Sequence, residues 1–140
     1  MPEKLLIVDD EPDMLKLLSM IIREKTSYES VTTNNPLEAV ELARQGGFDL
    51  VIADLKMPGL DGVELLDAIK SMDEDIPVII ITAYGNVESA LETMQKGAFD
   101  FITKPFKKEQ ILFTIDKALK LVKLKKENEA LKEKLKKNGQ

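Results

Sequence analysis

Val78-Ile79-Ile80-Ile81-Thr82 is a run of four β-branched apolar residues closed by a hydroxyl. A continuous run of this kind suits a strand covered on both faces, and it is too short for a buried helix. Four similar runs punctuate the chain: Leu5–Val8, Tyr28–Thr32, Leu50–Ala53 and Phe99–Thr103. Between them the pattern turns helical. Met14, Leu18, Ile21 and Ile22 recur at helical spacing, and Leu15 and Leu17 widen the stripe. Asn35-Pro36 reads as a cap followed by proline at the first helical position; Leu37, Val40 and Leu42 follow, and Gly46-Gly47 ends that helix. Asp61-Gly62-Val63-Glu64 has capping-box spacing, with Leu65, Leu66 and Ile69 as the apolar side. Asn86 is placed to cap a helix running through Val87, Ala90, Leu91 and Met94 to Gly97. Five β-α repeats predict an α/β fold, a flavodoxin-like (βα)5 parallel sheet with helices on both faces and strand order 2-1-3-4-5. A ligand site is then expected beyond the carboxyl ends of the strands, at the switch between the first and third.

Composition narrows the chemistry. The 140 residues fit one domain, which at this size buries roughly 68–70% of its unfolded surface. The chain has no Cys, which removes disulfides, thiolate zinc sites and thiol nucleophiles. It has no His, which removes imidazole ligands and a histidine general base. Carboxylates, hydroxyls, lysines and an oxygen-loving cation remain. MPEKLLIVDD at the start is no signal peptide, and no stretch approaches membrane-spanning length, so no membrane contact and a cytoplasmic location are expected. The net charge of −5 hides a split: residues 1–103 carry 8 basic and 20 acidic side chains, residues 104–140 carry 12 and 5.

After Pro105-Phe106 one helix is predicted from Lys107 to about Lys137. Ile111, Leu112, Ile115, Ala118 and Leu119 form a face for packing on the sheet. Leu121, Leu124, Asn128, Leu131 and Leu135 then alternate by three and four, a coiled-coil seam. With Leu121, Asn128 and Leu135 at a and Leu124 and Leu131 at d, the single Asn favours a parallel, in-register homodimer. Glu127 at g would face Lys132 at e of the partner. The same segment is also consistent with a solvated, Lys-rich helix that extends without pairing. The expected division is a compact domain over 1–120 and a linker over 121–140. Its lysines suggest DNA or RNA, but acids interrupt them and no aromatics interleave, so no nucleic-acid contact is expected of this segment.

The proposed strand order brings polar residues together. Asp9 and Asp10 follow the first strand, Asp54 the third and Lys104 the fifth, while Thr82 ends the fourth. Two like charges about 4 Å apart repel by about 4 kcal/mol at an effective dielectric near 20, so three carboxylates need positive charge. Lys104 supplies one, and a hard divalent ion such as Mg²⁺ suits the oxygen ligands. A Mg²⁺ that keeps its waters usually also meets phosphate, and a carboxylate can attack phosphorus to form an acyl phosphate. Met57-Pro58-Gly59 reads as a turn that leaves Asp54 accessible. Taken singly, each element has a plainer account: Asp10 as a helix cap, Thr82 as a strand-end hydroxyl, Lys104 as a surface charge, Phe101 as core.

VDDE at 8–11, ADLKMPGLDG at 53–62, ITAYG at 81–85 and DFITKPF at 100–106 together resemble the receiver domain of bacterial two-component response regulators, from residue 4 to about 120. The resemblance implies that Asp54 is the phosphoacceptor. It implies that Asp9 and Asp10 are the acidic pair around Mg²⁺, with Asp10 a direct ligand and the backbone carbonyl of Lys56 another. It makes Thr82 the switch hydroxyl, Phe101 the rotating aromatic and Lys104 the lysine that faces the phosphoryl group, across a cis Lys104-Pro105 bond that aims it inward. The phosphodonor would be a partner sensor histidine kinase. The stretch TAYGNVESALETMQKGAFDFITKPF is similar to nitrogen-regulation and dicarboxylate-transport type activators of sigma-54 RNA polymerase. Those place an AAA+ ATPase and a DNA-binding domain after the linker. By that resemblance, an unphosphorylated receiver dimer holds the ATPase inactive and phosphorylation favours a different dimer, through the fourth helix, fifth strand and fifth helix.

Other classes fit less well. A haloacid-dehalogenase-type phosphatase would want a second Asp two positions after the nucleophile, and position 56 is Lys. A flavin-binding module would want a hydroxyl-rich phosphate loop where Asp9-Asp10-Glu11 stands. A pure dimerisation module would not need converging acids.

Overall fold

The computed structural model describes residues 2–83 and 85–138. Along them strands and helices alternate: β1 (Lys4–Val8), α1 (Pro12–Lys25), β2 (Glu29–Thr33), α2 (Pro36–Gln45), β3 (Leu50–Ala53), α3 (Gly62–Met72), β4 (Val78–Thr82), α4 (Val87–Gln95), β5 (Asp100–Thr103) and α5 (Lys108–Asn138). All strand pairs are parallel, and the order is β2-β1-β3-β4-β5, the flavodoxin-like sheet expected from the repeats. Only element ends move: β2 and β5 start one residue later than Tyr28 and Phe99, and β2 runs on to Thr33.

Period-two alternation gives each face of the sheet its own core. Leu6, Val8, Val51, Ala53, Val78 and Ile80 meet Ala39 and Ala43 of α2 and Leu65, Leu66 and Ile69 of α3. Leu5, Ile7, Leu50, Ile52, Ile79 and Ile81 meet Leu18 and Ile22 of α1 and Ile111, Ile115 and Ala118 of α5. Every residue of β3 and β4 is buried, which is why those runs have no polar alternation.

Helices α2 and α4 bury smaller residues than their apolar pattern suggests. In α2 the sheet is met by Ala39 and Ala43; Val40 and Leu42 are half-buried and Leu37 faces out. In α1 the stripe is narrower than predicted, because Leu17 is exposed. In α4 only Thr93 is buried, and Val87, Leu91 and Met94 point outward. Small residues let a helix axis approach the sheet closely, so the bulky ones are left on the flanks.

The caps fall where predicted. Asn35 Oδ1 accepts from the N–H groups of Leu37 and Glu38 at 2.9 and 3.4 Å. Asp61 and Glu64 form a reciprocal box at 2.8 and 3.3 Å, and Asn86 accepts from Ser89 N–H at 2.7 Å. Helix α1 starts after Glu11 without a side-chain cap, so Asp10 is not used in that way.

Helix α5 serves two environments. Its first half closes the second core, and the Tyr28 hydroxyl donates to Asp116 at 2.7 Å. Burial, then the Asp116 bond and charge, push the Tyr28 phenol up to about 12. Lys125 still reaches the body, with Nζ 2.6 Å from Asp75 in the α3–β4 loop. Beyond the core, Leu121, Leu124, Leu131 and Leu135 are 47–70% exposed.

Ile115 is fully buried and Phe113, two residues earlier, is 68% exposed. Ile115→Ala is therefore expected to cost about 2–5 kcal/mol, and Phe113→Ala no more than about 0.5 kcal/mol, read from urea unfolding midpoints.

Candidate functional site

The strand register builds the site. Val8 pairs with Ala53, so Asp9 and Asp54 leave the sheet side by side. Thr82 pairs with Thr103, and Lys104 follows directly. Backbone bonds continue each strand one step further: Asp9 N–H donates to Thr33 O, Asp54 N–H to Val8 O and Lys104 N–H to Thr82 O. The carboxyl ends of β1, β3 and β5 thus project their polar side chains to one place.

Lys104 joins them. Its Nζ lies 2.9 Å from Asp9 Oδ2 and 2.9 Å from Asp54 Oδ2, and 3.4 Å from Glu11 Oε1. The lysine side chain is 9% exposed and the two aspartates 3% each, so these are desolvated ion pairs. The other oxygen of each aspartate is held by backbone: Asp9 Oδ1 accepts from Glu11 N–H at 2.9 Å, Asp54 Oδ1 from Lys56 N–H at 3.1 Å. Burial pushes the Asp9 carboxyl above the ordinary carboxylate range, although the Glu11 N–H and Lys104 pull against it. Burial alone would lower the Lys104 ammonium; its bonds to Asp9 and Asp54, with their charges, outweigh that and hold it above the ordinary lysine range. The Lys104–Pro105 peptide is cis.

Asp10 completes the acidic group. Carboxylate oxygens of Asp9, Asp10, Glu11 and Asp54 lie within 4.8 Å of one another. Asp10 and Glu11 are exposed and face a cleft of about 420 Å³ lined also by Asp54, Lys56, Met57, Pro58 and Asp61. Four anionic oxygen donors, with no nitrogen or sulfur ligand, fit a hard cation of the Mg²⁺ type. Each carboxylate oxygen offers two lone-pair directions, so the bonds to Lys104 leave acceptor capacity at Asp9 and Asp54.

The structure therefore brings together Asp9, Asp10, Asp54 and Lys104, with the Lys56 backbone beside them. Thr82 sits fully buried at the end of β4. Phe101 lies apart from the acids, half-buried against the α2/α3 core. Two residues take parts that the sequence reading did not give them. Glu11, read only as the last residue of VDDE, adds a fourth carboxylate to the cluster. Gly62, the first residue of α3, adds a close approach: a Cβ there would lie 2.5 Å from the Asp54 carbonyl oxygen and 2.7 Å from Leu55 Cα. Its own N–H donates to Leu55 O at 2.8 Å. Helix α3 is thereby pressed against the backbone that carries Asp54, which capping-box spacing does not disclose.

Removing the ammonium strands two buried carboxylates. In chelator-buffered solution Lys104→Met is expected to cost about 3–5 kcal/mol of folding stability, measured by urea unfolding. An unchanged midpoint contradicts the pairing.

Comparison with known proteins places this geometry. The sequence model of the response regulator receiver domain matches residues 5–116. The chain is 39% identical over 118 residues to transcriptional regulatory protein GlrR of Escherichia coli (strain K12), covering 84% of this chain and 26% of that protein. It is 39% identical over 121 residues to sporulation initiation phosphotransferase F of Bacillus subtilis (strain 168), covering 86% of this chain and 97% of that one. The solution structure of the beryllofluoride-activated NtrC4 receiver domain dimer superposes with a TM-score of 0.81 at 36% identity, covering 85% of this chain and 98% of the other. The chain thus spans about a quarter of GlrR and nearly all of the sporulation phosphotransferase. With the matched residues running from β1 into α5 and the acids and lysine at the strand ends, the chain belongs to the response regulator receiver domain family.

Proposed function

We propose that this protein is a phosphorylation-dependent signalling switch in which Asp54 accepts a phosphoryl group from a partner sensor histidine kinase. The observation that carries this is the single ammonium of Lys104 shared by Asp9 and Asp54 in a buried cluster that opens on a cleft. A carboxylate oxygen of Asp54 attacks phosphorus, the bond from phosphorus to the donor breaks, and its electron pair leaves with the donor. Lys104 moves from pairing the Asp54 carboxylate to facing the added phosphoryl oxygens. Asp9, Asp10, Asp54 and the Lys56 carbonyl are the groups that would hold Mg²⁺, which supplies charge neutralisation for the transferring group. Thr82 and Phe101 act as the switch pair: the Thr82 hydroxyl turns toward the modified Asp54 and Phe101 repacks. Phe101 has no hydroxyl, so its part is played by packing alone.

Lys56 stands where a haloacid-dehalogenase-type phosphatase would need its second Asp, which favours stoichiometric transfer over turnover. Incubation with acetyl phosphate and Mg²⁺ is expected to add one phosphoryl group per chain, at Asp54, by intact-mass and peptide analysis. Asp54→Asn and chelation should each abolish it. Labelling that persists in Asp54→Asn sinks the site assignment.

The output belongs to the same proposal. The outward apolar side of α4, with Val87 and Leu91, and the exposed leucines of α5 are surfaces that a second copy would cover. Leu121, Leu124, Asn128, Leu131 and Leu135 form the seam of a linker dimer. The resemblance to sigma-54 activators makes a downstream AAA+ ATPase the element this dimer controls. Sedimentation with and without beryllofluoride is expected to show a dimer whose association changes, and Leu124→Asp/Leu131→Asp is expected to weaken it at least tenfold. An unchanged monomer in both states ends the linker reading while leaving Asp54 labelling untouched.

A further inference from the structure

Four glycines, Gly46, Gly47, Gly59 and Gly97, adopt a positive φ that side chains resist. Gly62 is not among them, so backbone conformation does not require glycine there. What excludes a side chain there is space, and Gly62 and Gly85 both lie beside the switch machinery. At Gly62 the obstacle is the backbone of Asp54 and Leu55. At Gly85, in the turn between β4 and α4, the obstacle is β5: a Cβ would overlap Thr103 Cγ2 and lie 3.0 Å from Cε1 and 3.5 Å from Cζ of Phe101.

We propose that Gly85 is a positioning residue whose bare Cα seats the edge of the Phe101 ring, so that the absence of a side chain at 85 sets the resting bias of the switch. This rests on the assignment of Thr82 and Phe101 as the switch pair. The half-buried ring packs against the core formed with α2 and α3, and its backbone is held in the sheet opposite Ile80. Thr103 pairs in register with Thr82, and its exposed side chain is the easier of the two obstacles to move. A methyl group at 85 must therefore turn Thr103 aside and press on the ring edge, or shift its own backbone. Displacing the ring changes the relation between the Thr82 hydroxyl and Phe101 with no residue of the acidic cluster substituted.

The test uses the full chain with labelled phenylalanine rings, Phe101 being assigned through Phe101→Leu. In the free protein, Gly85→Ala is expected to move the Phe101 ring resonances and to lower Tm by roughly 3–9 °C, the usual size of an overpacking effect in a chain this long. Adding Thr103→Ser, which removes the overlapping methyl, should recover more than half of the Tm loss. Should Gly85→Ala not fold, its cost is read in the Phe101→Leu/Thr103→Ser background, where both obstacles are reduced and the variant is expected to fold. On addition of beryllofluoride, the Phe101 shift in Gly85→Ala should be less than half that of the wild type, while acetyl phosphate still labels Asp54. Unmoved Phe101 resonances with an unchanged Tm overturn the proposal, as does a loss that neither Thr103→Ser nor Phe101→Leu relieves. A wild-type protein that takes beryllofluoride without any Phe101 shift overturns the switch assignment itself, and with it the bias; the ring resonances of the free Gly85→Ala protein then still judge the steric contact.

Discussion

One ammonium held between two buried carboxylates organises this molecule. Lys104 is 95 residues from Asp9 and 50 from Asp54 in the chain, yet bonds both at 2.9 Å. Three strand ends meet there only if β1 and β3 are adjacent and only β4 stands between β3 and β5, with a lysine long enough to reach back. The strand order and the charge pattern thus require each other. Without the cation, the acids would repel in a setting where water screens them poorly. Within the proposed function the same arrangement is poised for chemistry, because a carboxylate shared with a lysine is already surrounded by what an added phosphoryl group needs.

Around that interaction the sheet is a rigid frame with two independent cores. Fully buried β3 and β4 leave no polar position at its centre, and the helices on either side are anchored by leucine and isoleucine in α1, α3 and α5 and by alanine in α2. Gly62 lets α3 rest on the backbone of Asp54, and Gly85 lets the β4–α4 turn rest on Phe101. At these two positions an added methyl has no free space, so its volume must be taken up by neighbouring atoms. The bulky apolar residues, by contrast, stay outside on α4 and on the extension of α5.

Helix α5 changes its role along its length. Up to Ala118 it is a core element of the second face. The Lys125–Asp75 pair keeps it against the α3–β4 loop slightly longer, although an exposed ion pair of this kind contributes orientation more than stability. Past that point its leucines have no counterpart within the described body. The packing of Ile111, Ile115 and Ala118 holds the start of the helix that carries these exposed leucines.

The amino-acid pattern alone determined the class of fold, because continuous β-branched runs separated by capped amphipathic segments have few other arrangements. It also located Asp9, Asp10, Asp54, Thr82 and Lys104 at strand ends, since strand ends are where apolar runs stop. What it could not disclose depends on distances between elements. Which helix residues meet the sheet, Ala39 and not Leu37, follows from how closely each axis approaches. That Glu11 joins the acids follows from the direction in which the chain turns after β1. That Gly62 and Gly85 have no room for a methyl follows from neighbours far away in sequence. Local pattern specifies elements and their ends; only tertiary packing decides which atoms touch, because contact depends on three-dimensional separation and side-chain volume, neither of which is written in a single stretch of chain.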